Sequence, residues 1–353
     1  MISHNLNDEG DMKEIFIITD YKGRFGSKHK EKSFRSGFDL ALLSEYFSAC
    51  EIKTSYLKFA DVDFRNDWKK KVVIYSSAED CKGYYKSFIE DVIYGLELAG
   101  AYIVPKYLFL KAHNNKVFME ILRDLFFPND KIISYKFGNL EELVANLHKF
   151  EYPLVLKSYE GAVSRNVRMC YSENDLLSAA KTLMQTPNLK EDFKELYRAH
   201  RYPPYKPESR FRKKVIIQNM ITGLENDWKV LVFGNKLYKL KRLNRIGDPR
   251  ASGSGRFIFD KEIDTEILDF AVECYNKFNV PVASLDIAKN EEGCILIEFQ
   301  FVTFGTKTLE NSDHFYIKKD GIWIIENKPT ILEEEFAKSY SDFFQNNNYF
   351  NNE

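Results

Sequence analysis

Asp286 and Glu298 lie in two short apolar runs, SLDIA and CILIEF, that flank the polar Lys289–Gly293. That pattern reads as a β-hairpin with a slightly long turn. Side chains alternate across a strand, so Leu285, Ile287, Ile295, Ile297 and Phe299 form the apolar face, while Asp286, Glu298 and Gln300 share the other. With the turn centred on Glu292, Asp286 falls opposite Glu298, Cβ atoms about 5 Å apart. Two carboxylates that close repel by roughly 3 kcal/mol at an effective dielectric of about 20. A shared proton offsets this, as does a hard cation with oxygen ligands, Mg²⁺ above all, which also makes a place for phosphate. The alternative is a hairpin whose acids point into water.

Further cations and polar pairs precede this hairpin. Lys157 ends an apolar strand and leads into the loop SYEGAVSRN, where Gly161 is the single glycine, before the chain returns as VRMCY. Such a strand–loop–strand flap can lay backbone N–H groups over a polyphosphate while the lysine supplies charge. In VIIQNMITGLENDWKVLVF the polar pair Gln218–Asn219 closes a buried strand, and the acids Glu225 and Asp227 precede the next. Backbone groups there suit an adenine edge and a carboxylate suits ribose hydroxyls; an ordinary loop has the same composition. Lys229, Lys239, Lys241 and Arg242 crowd two strands joined by Gly234–Asn235. Arg242 points with Leu240 toward the core, where an arginine needs an anionic partner.

Lys116, Lys157, the Gln218 linker, an acid at 225 or 227, Lys229, Arg242, Asp286 and Glu298 occur in this order along the chain. In that order, the segment from about Lys111 to Thr306 resembles the ATP-grasp superfamily, in particular its ribosomal-protein glutamate ligase and D-alanine ligase types. The resemblance implies ATP and Mg²⁺ as cofactors and ADP-forming joining of a carboxylate to an amine. A hydroxyl-directed kinase and a non-catalytic nucleotide-binding module are the alternatives. It implies that Lys116 and Lys157 bind phosphate, that Gln218, Asn219 and Met220 form the adenine hinge, and that Glu225 or Asp227 takes the ribose. Lys229 and Arg242 then face the terminal phosphates, and Asp286, Glu298 and Gln300 hold the metal. Gln300 departs from the family's usual Glu-x-Asn. The loop with Arg245, Arg250, Ser252, Gly253 and Ser254 is expected to grip an acidic substrate.

The elements that must position these residues follow an α/β plan. Alternating strands and helices before residue 110 imply a small parallel sheet covered on both faces, the expected N-terminal domain of 1–110. Residues 111–222 are expected to form a lid with the flap, and 223–353 a second subdomain with the metal hairpin and a tail. Expected helices run Tyr84–Leu98, Ala112–Phe126, Leu140–His148, from Ser172 to about Gln185, Asp264–Phe278 and Ile331–Gln345. The basic, proline-broken stretch Thr186–Lys214 reads as a solvated connection. The 353 residues, 44% of them apolar, exceed one ordinary domain. A net charge of −1 gives no sign of a nucleic-acid partner. No apolar run approaches a membrane span, and five scattered cysteines suggest reduced thiols, so a cytoplasmic location is expected. The resemblance implies small-molecule, peptide or saccharide acids and amines as partners; a homodimer is allowed.

Overall fold

A computed structural model describes residues 13–28, 36–78, 80–129, 131–160, 166–224, 226–243 and 255–350. The chain opens with β1 (Glu14–Thr19), α1 (Leu40–Ala49), β2 (Lys53–Lys58), β3 (Val72–Tyr75), α2 (Tyr84–Leu98) and β4 (Tyr102–Val104). The four strands form a parallel sheet in the order β2-β1-β3-β4. Ile15, Ile17, Val73 and Ile74 are fully buried, as the continuous apolar runs of a two-sided parallel sheet require. Asp39 caps α1 by accepting from the amides of Ala41 and Leu42.

The run Ala112–Phe126 is two helices, not one. α3 (Tyr107–Ala112) stops at His113, Asn114 takes φ of 52°, and Asn115 caps α4 (Lys116–Phe126). The left-handed residue breaks the ladder and sets Lys116 in the first turn of a new helix. Next come β5 (Ser134–Phe137), α5 (Leu140–Ala145), β6 (Leu154–Ser158), β7 (Val167–Cys170) and α6 (Glu173–Met184). The Ser172 hydroxyl caps α6, accepting from the Asp175 amide at 3.2 Å. The stretch after it also departs from expectation, because α7 (Leu189–Arg201) is a full helix capped by Asn188. Glu195 ties the following loop back onto it, accepting from Tyr205 Oη (2.6 Å) and the Glu208 amide (2.9 Å). Those local bonds offset the prolines, and α7 leaves Leu189, Phe193 and Tyr197 exposed. With β8 (Val215–Asn219), the second sheet is antiparallel in the order β5-β8-β6-β7.

The third sheet joins β9 (Asn226–Phe233), β10 (Lys236–Leu243), β11 (Phe257–Ile258), β12 (Val282–Asn290), β13 (Gly293–Gln300), β14 (Phe315–Lys319) and β15 (Ile322–Glu326). The strand order is β13-β12-β9-β10-β14-β15, with β11 on β10. Between these strands lie α8 (Thr265–Phe278) and the short α9 (Lys307–Glu310); α10 (Leu332–Asn346) follows. One face, Val230, Val232, Ala283, Leu285 and Ile287, packs on α8 through Ile267, Ala271 and Cys274. The opposite face, Leu231, Phe233 and Val282, packs on α10, on Ile15 and Ile17 of the N-terminal sheet and on Phe47 of α1. The C-terminal helix thus closes one core with the first domain. Cys50, Cys170 and Cys294 are free thiols. Among the described residues no helix is long and apolar enough to cross a membrane.

Candidate functional site

The β12–β13 turn pairs Asn290 with Gly293, and Gly293 takes φ of 113°, backbone that favours glycine. From there the ladder runs regularly to Ile287 opposite Leu296, then shifts by one residue so that Asp286 meets Glu298. Ile297 is therefore an extra residue, a β-bulge. The expected pairing of the two acids holds, but Leu296, 1% exposed, takes the core position expected of Ile297. The Arg123 guanidinium holds the bulge from α4. It donates to the carbonyls of Leu296 and Ile297, the latter at 2.7 Å, and its Nε lies 3.0 Å from Glu120 Oε2. Arg123 and Glu120 are both wholly buried. Helix periodicity alone gave no sign of this pair.

Strand register then gathers charge across four neighbouring strands. Asp286 of β12 lies opposite Lys229 of β9, and Asp227 of β9 lies opposite Arg242 of β10. Lys229 Nζ is 3.5 Å from Asp286 Oδ1. Arg242 bonds Asp227 through Nε, and its Nη2 approaches Asp286 Oδ2 to 2.8 Å without in-line hydrogen-bond geometry. The inward arginine thus has two anionic partners. Asp227, considered with Glu225 for ribose, is buried against that guanidinium instead. Burial works against the Asp286 charge, but Lys229 and Arg242 outweigh it and hold the carboxyl at about 2. Burial raises Asp227 to about 6 against the pull of Arg242.

The second sheet and α4 supply the other wall. Lys116 Nζ is 3.2 Å from Glu298 Oε1, and the Lys116 amide donates to the Tyr159 carbonyl at 2.9 Å. Lys157 sits beside them on β6; burial lowers its ammonium to about 8, with Glu120 opposing and Lys116 reinforcing the shift. On β8, Gln218 is 3% exposed and its Nε2 has no partner. Asn219 is engaged: its Oδ1 accepts from the Ile133 amide (2.9 Å) and its Nδ2 donates to the Lys131 carbonyl (3.2 Å). The Met220 amide meets the Pro153 carbonyl at 3.4 Å, and Gln300 pairs with Ser284 two residues beyond the acids. Gly161, Glu225, Arg245, Arg250, Ser252, Gly253 and Ser254 lie outside the described residues.

Among the described residues no three His, Cys, Asp or Glu side chains form a metal cage. Asp286 and Glu298 nevertheless offer the hard oxygen donors that Mg²⁺ shares with water and phosphate rather than with a full protein shell. Four cations, Lys116, Lys157, Lys229 and Arg242, face three carboxylates, Asp227, Asp286 and Glu298, so the cluster is net positive and fits a metal-bound polyphosphate.

No protein-family model and no curated protein matches the chain. Among solved structures, D-cycloserine synthetase aligns with a TM-score of 0.52 at 12% identity, over 93% of this chain and 99% of that one. An ATP-grasp ligase associated with RiPP from Chryseobacterium gregarium, in complex with ADP and a leader and core peptide, aligns with a TM-score of 0.52 at 15% identity, over 95% and 97%. The chain therefore has the ATP-grasp fold, an N-terminal α/β region followed by a two-subdomain grasp.

Proposed function

We propose that this chain is an ATP- and Mg²⁺-dependent ligase that joins a carboxylate to an amine through an acyl phosphate. The observation that carries this function is the charge cluster spanning β13, β12, β9 and β10, roofed by Lys116 and Lys157 from the other subdomain. A carboxylate oxygen of the acid attacks the γ-phosphorus; the bond from that phosphorus to the β-bridging oxygen breaks, and ADP leaves with its electron pair. The amine then attacks the acyl carbon, phosphate departs, and the nitrogen gives up a proton. In this reading Lys157, Lys229 and Arg242 stabilise charge on the transferring group. Asp227 and Asp286 keep the guanidinium aimed, and Asp286 and Glu298 are the residues that would hold Mg²⁺. When bound, that ion withdraws charge from the phosphates. Holding acid and phosphate in line supplies proximity worth roughly 7–11 kcal/mol.

The acceptors would be small-molecule, peptide or saccharide acids and amines. Incubation with ATP, Mg²⁺, panels of such acids and hydroxylamine tests the reaction. Acid-dependent ADP release with a trapped hydroxamate is the expected result. A stable phosphorylated alcohol would assign a kinase, and nucleotide binding that no acceptor converts to ADP release would assign a binding module.

A further inference from the structure

The N-terminal sheet and the lid meet around a second group of cations, beside the phosphate cluster but separate from it. Glu90 of α2 serves two ammoniums, bonding Lys86 and lying 3.1 Å from Lys111 Nζ. The third, Lys214, has no carboxylate: it donates to Asn115 Oδ1 at 3.3 Å and sits 4.8 Å over the ring of Tyr159. Burial, then Lys111, lowers its ammonium below the ordinary lysine value. Glu90 and Glu160 act on it only from beyond ion-pair distance, and a half-buried cation whose direct contacts are neutral is costly unless an anion joins it. His113, two residues after Lys111 and 4% exposed, has neither ring nitrogen in full hydrogen-bond geometry, with the Thr303 backbone beside it; burial, then Lys86, lowers it to about 3, so the ring is neutral and offers an N–H donor. The Ser77 hydroxyl is buried and unpartnered as well, while the Ser77 amide donates to Thr303 Oγ1 at 2.9 Å. Ser77 follows the carboxyl end of β3, one of the two central strands of the order β2-β1-β3-β4. The crevice outside the carboxyl ends of such strands, where the strand order reverses, is where open α/β sheets take ligands.

We propose that Lys86, Lys111, Lys214, His113 and Ser77 form an oxyanion subsite for the acceptor, receiving a carboxylate or phosphate group that the acid carries besides the one to be activated. Asn115 joins the two sites, since it caps α4 at Lys116 and accepts from Lys214. An acceptor anchored there abuts the Lys116–Glu298 pair. The assignment to the acceptor rests on the ligase function proposed above; the oxyanion site itself does not.

The test is titration calorimetry on the full chain with succinate and, separately, inorganic phosphate. Affinity for ADP with Mg²⁺ is measured first, and the oxyanions are then titrated with that nucleotide present. We expect one oxyanion to bind, and which one binds separates a second carboxylate from a phosphate. Lys214→Met is expected to weaken it about tenfold or more, Lys214→Arg to restore it, and ADP affinity to hold. Binding of neither oxyanion to the parent protein overturns the subsite. So does equal oxyanion affinity in Lys214→Met, or a parallel loss of ADP affinity that assigns Lys214 to the nucleotide. A parent protein that binds an oxyanion but no ADP sinks the ligase and leaves the subsite standing.

Discussion

Glu298 stands opposite Asp286 because Ile297 is inserted as an extra residue between Glu298 and the hairpin turn. Had the register continued unbroken from Asn290–Gly293, Asp286 would face Ile297 and Glu298 would turn with Leu285 toward the α8 core. Arg123 is what satisfies the two carbonyls at the irregularity, so a buried cation on α4 holds the register that brings Asp286 and Glu298 together on β12 and β13.

Replacement of Arg123 by Met leaves Glu120 buried without its partner and the Leu296 and Ile297 carbonyls without this donor. Breaking one half of a buried ion pair costs about 3–5 kcal/mol, to be read from urea unfolding. Partners that orient metal-binding groups are worth about 10–100-fold in metal affinity. The folded variant should therefore bind ADP as the parent does without Mg²⁺ but lose that factor with it. Unchanged Mg²⁺ dependence would show that the bulge does not position Glu298.

Asp286 couples the acidic pair to the cations, so Asp286→Asn should lower acid-dependent ADP release by about 10²–10³ while also destabilising the protein. The carboxyl is held at about 2, below its ordinary 3.8. Its contribution to stability is then present above pH 4 and lost as pH falls through about 2. Unfolding of parent and variant compared between pH 6 and pH 2.5 should show the gap closing on acidification. A gap that widens would mean the charge is a burden on the fold.

Gln218 makes the opposite kind of prediction. Its Nε2 is buried without a partner, a donor the fold keeps at a cost. Gln218→Met should leave the melting temperature equal or raise it, because an apolar chain of similar size removes an unsatisfied group worth about 1–3 kcal/mol. ADP affinity should fall if that amide serves the nucleotide. Calorimetry showing full affinity would place the amide outside the nucleotide site.

Part of the charge cluster follows from the turns. Counting back from Gly234–Asn235 pairs Asp227 with Arg242, since antiparallel register is set by the turn, whereas counting back from Glu291–Glu292 puts Ile297 opposite Asp286, and only the bulge moves Glu298 there. The need of Arg242 for an anion was therefore legible, and its partner Asp227 could have been found by the same count. The bulge was not, because both Leu296 and Ile297 are apolar and alternation fits either. Nor were Glu120 and Arg123, an acid and a base three apart on a helix, a spacing that serves a solvent-facing surface as readily as a core. His113 and Lys214 carry no local signal at all; only the tertiary meeting of α2, α3 and β8 makes one a buried ring without full hydrogen-bond geometry and the other a cation without an ion pair. The break at Asn114 was hidden by apolar periodicity that runs through it.

Lys157 gives a pH signature with two opposite signs. Its ammonium, lowered from 10.5 to about 8 by burial, is charged below pH 8 and neutral above. Affinity for ADP or ATP should fall as pH rises through about 8, and binding at pH 8–9 should take up a proton, because phosphate favours the charged form. Calorimetry in buffers of different ionisation enthalpy reads that uptake directly. Without nucleotide the sign reverses: from pH 8 to 10.5 the unfolded chain holds the proton that the folded lysine has lost, so this group makes stability rise with pH. Lys157→Met should abolish both the uptake and its share of the stability slope, whereas Lys157→Arg, charged throughout, should keep affinity flat across the range. Proton uptake that survives in Lys157→Met would assign the titrating group elsewhere and remove Lys157 from the phosphate site.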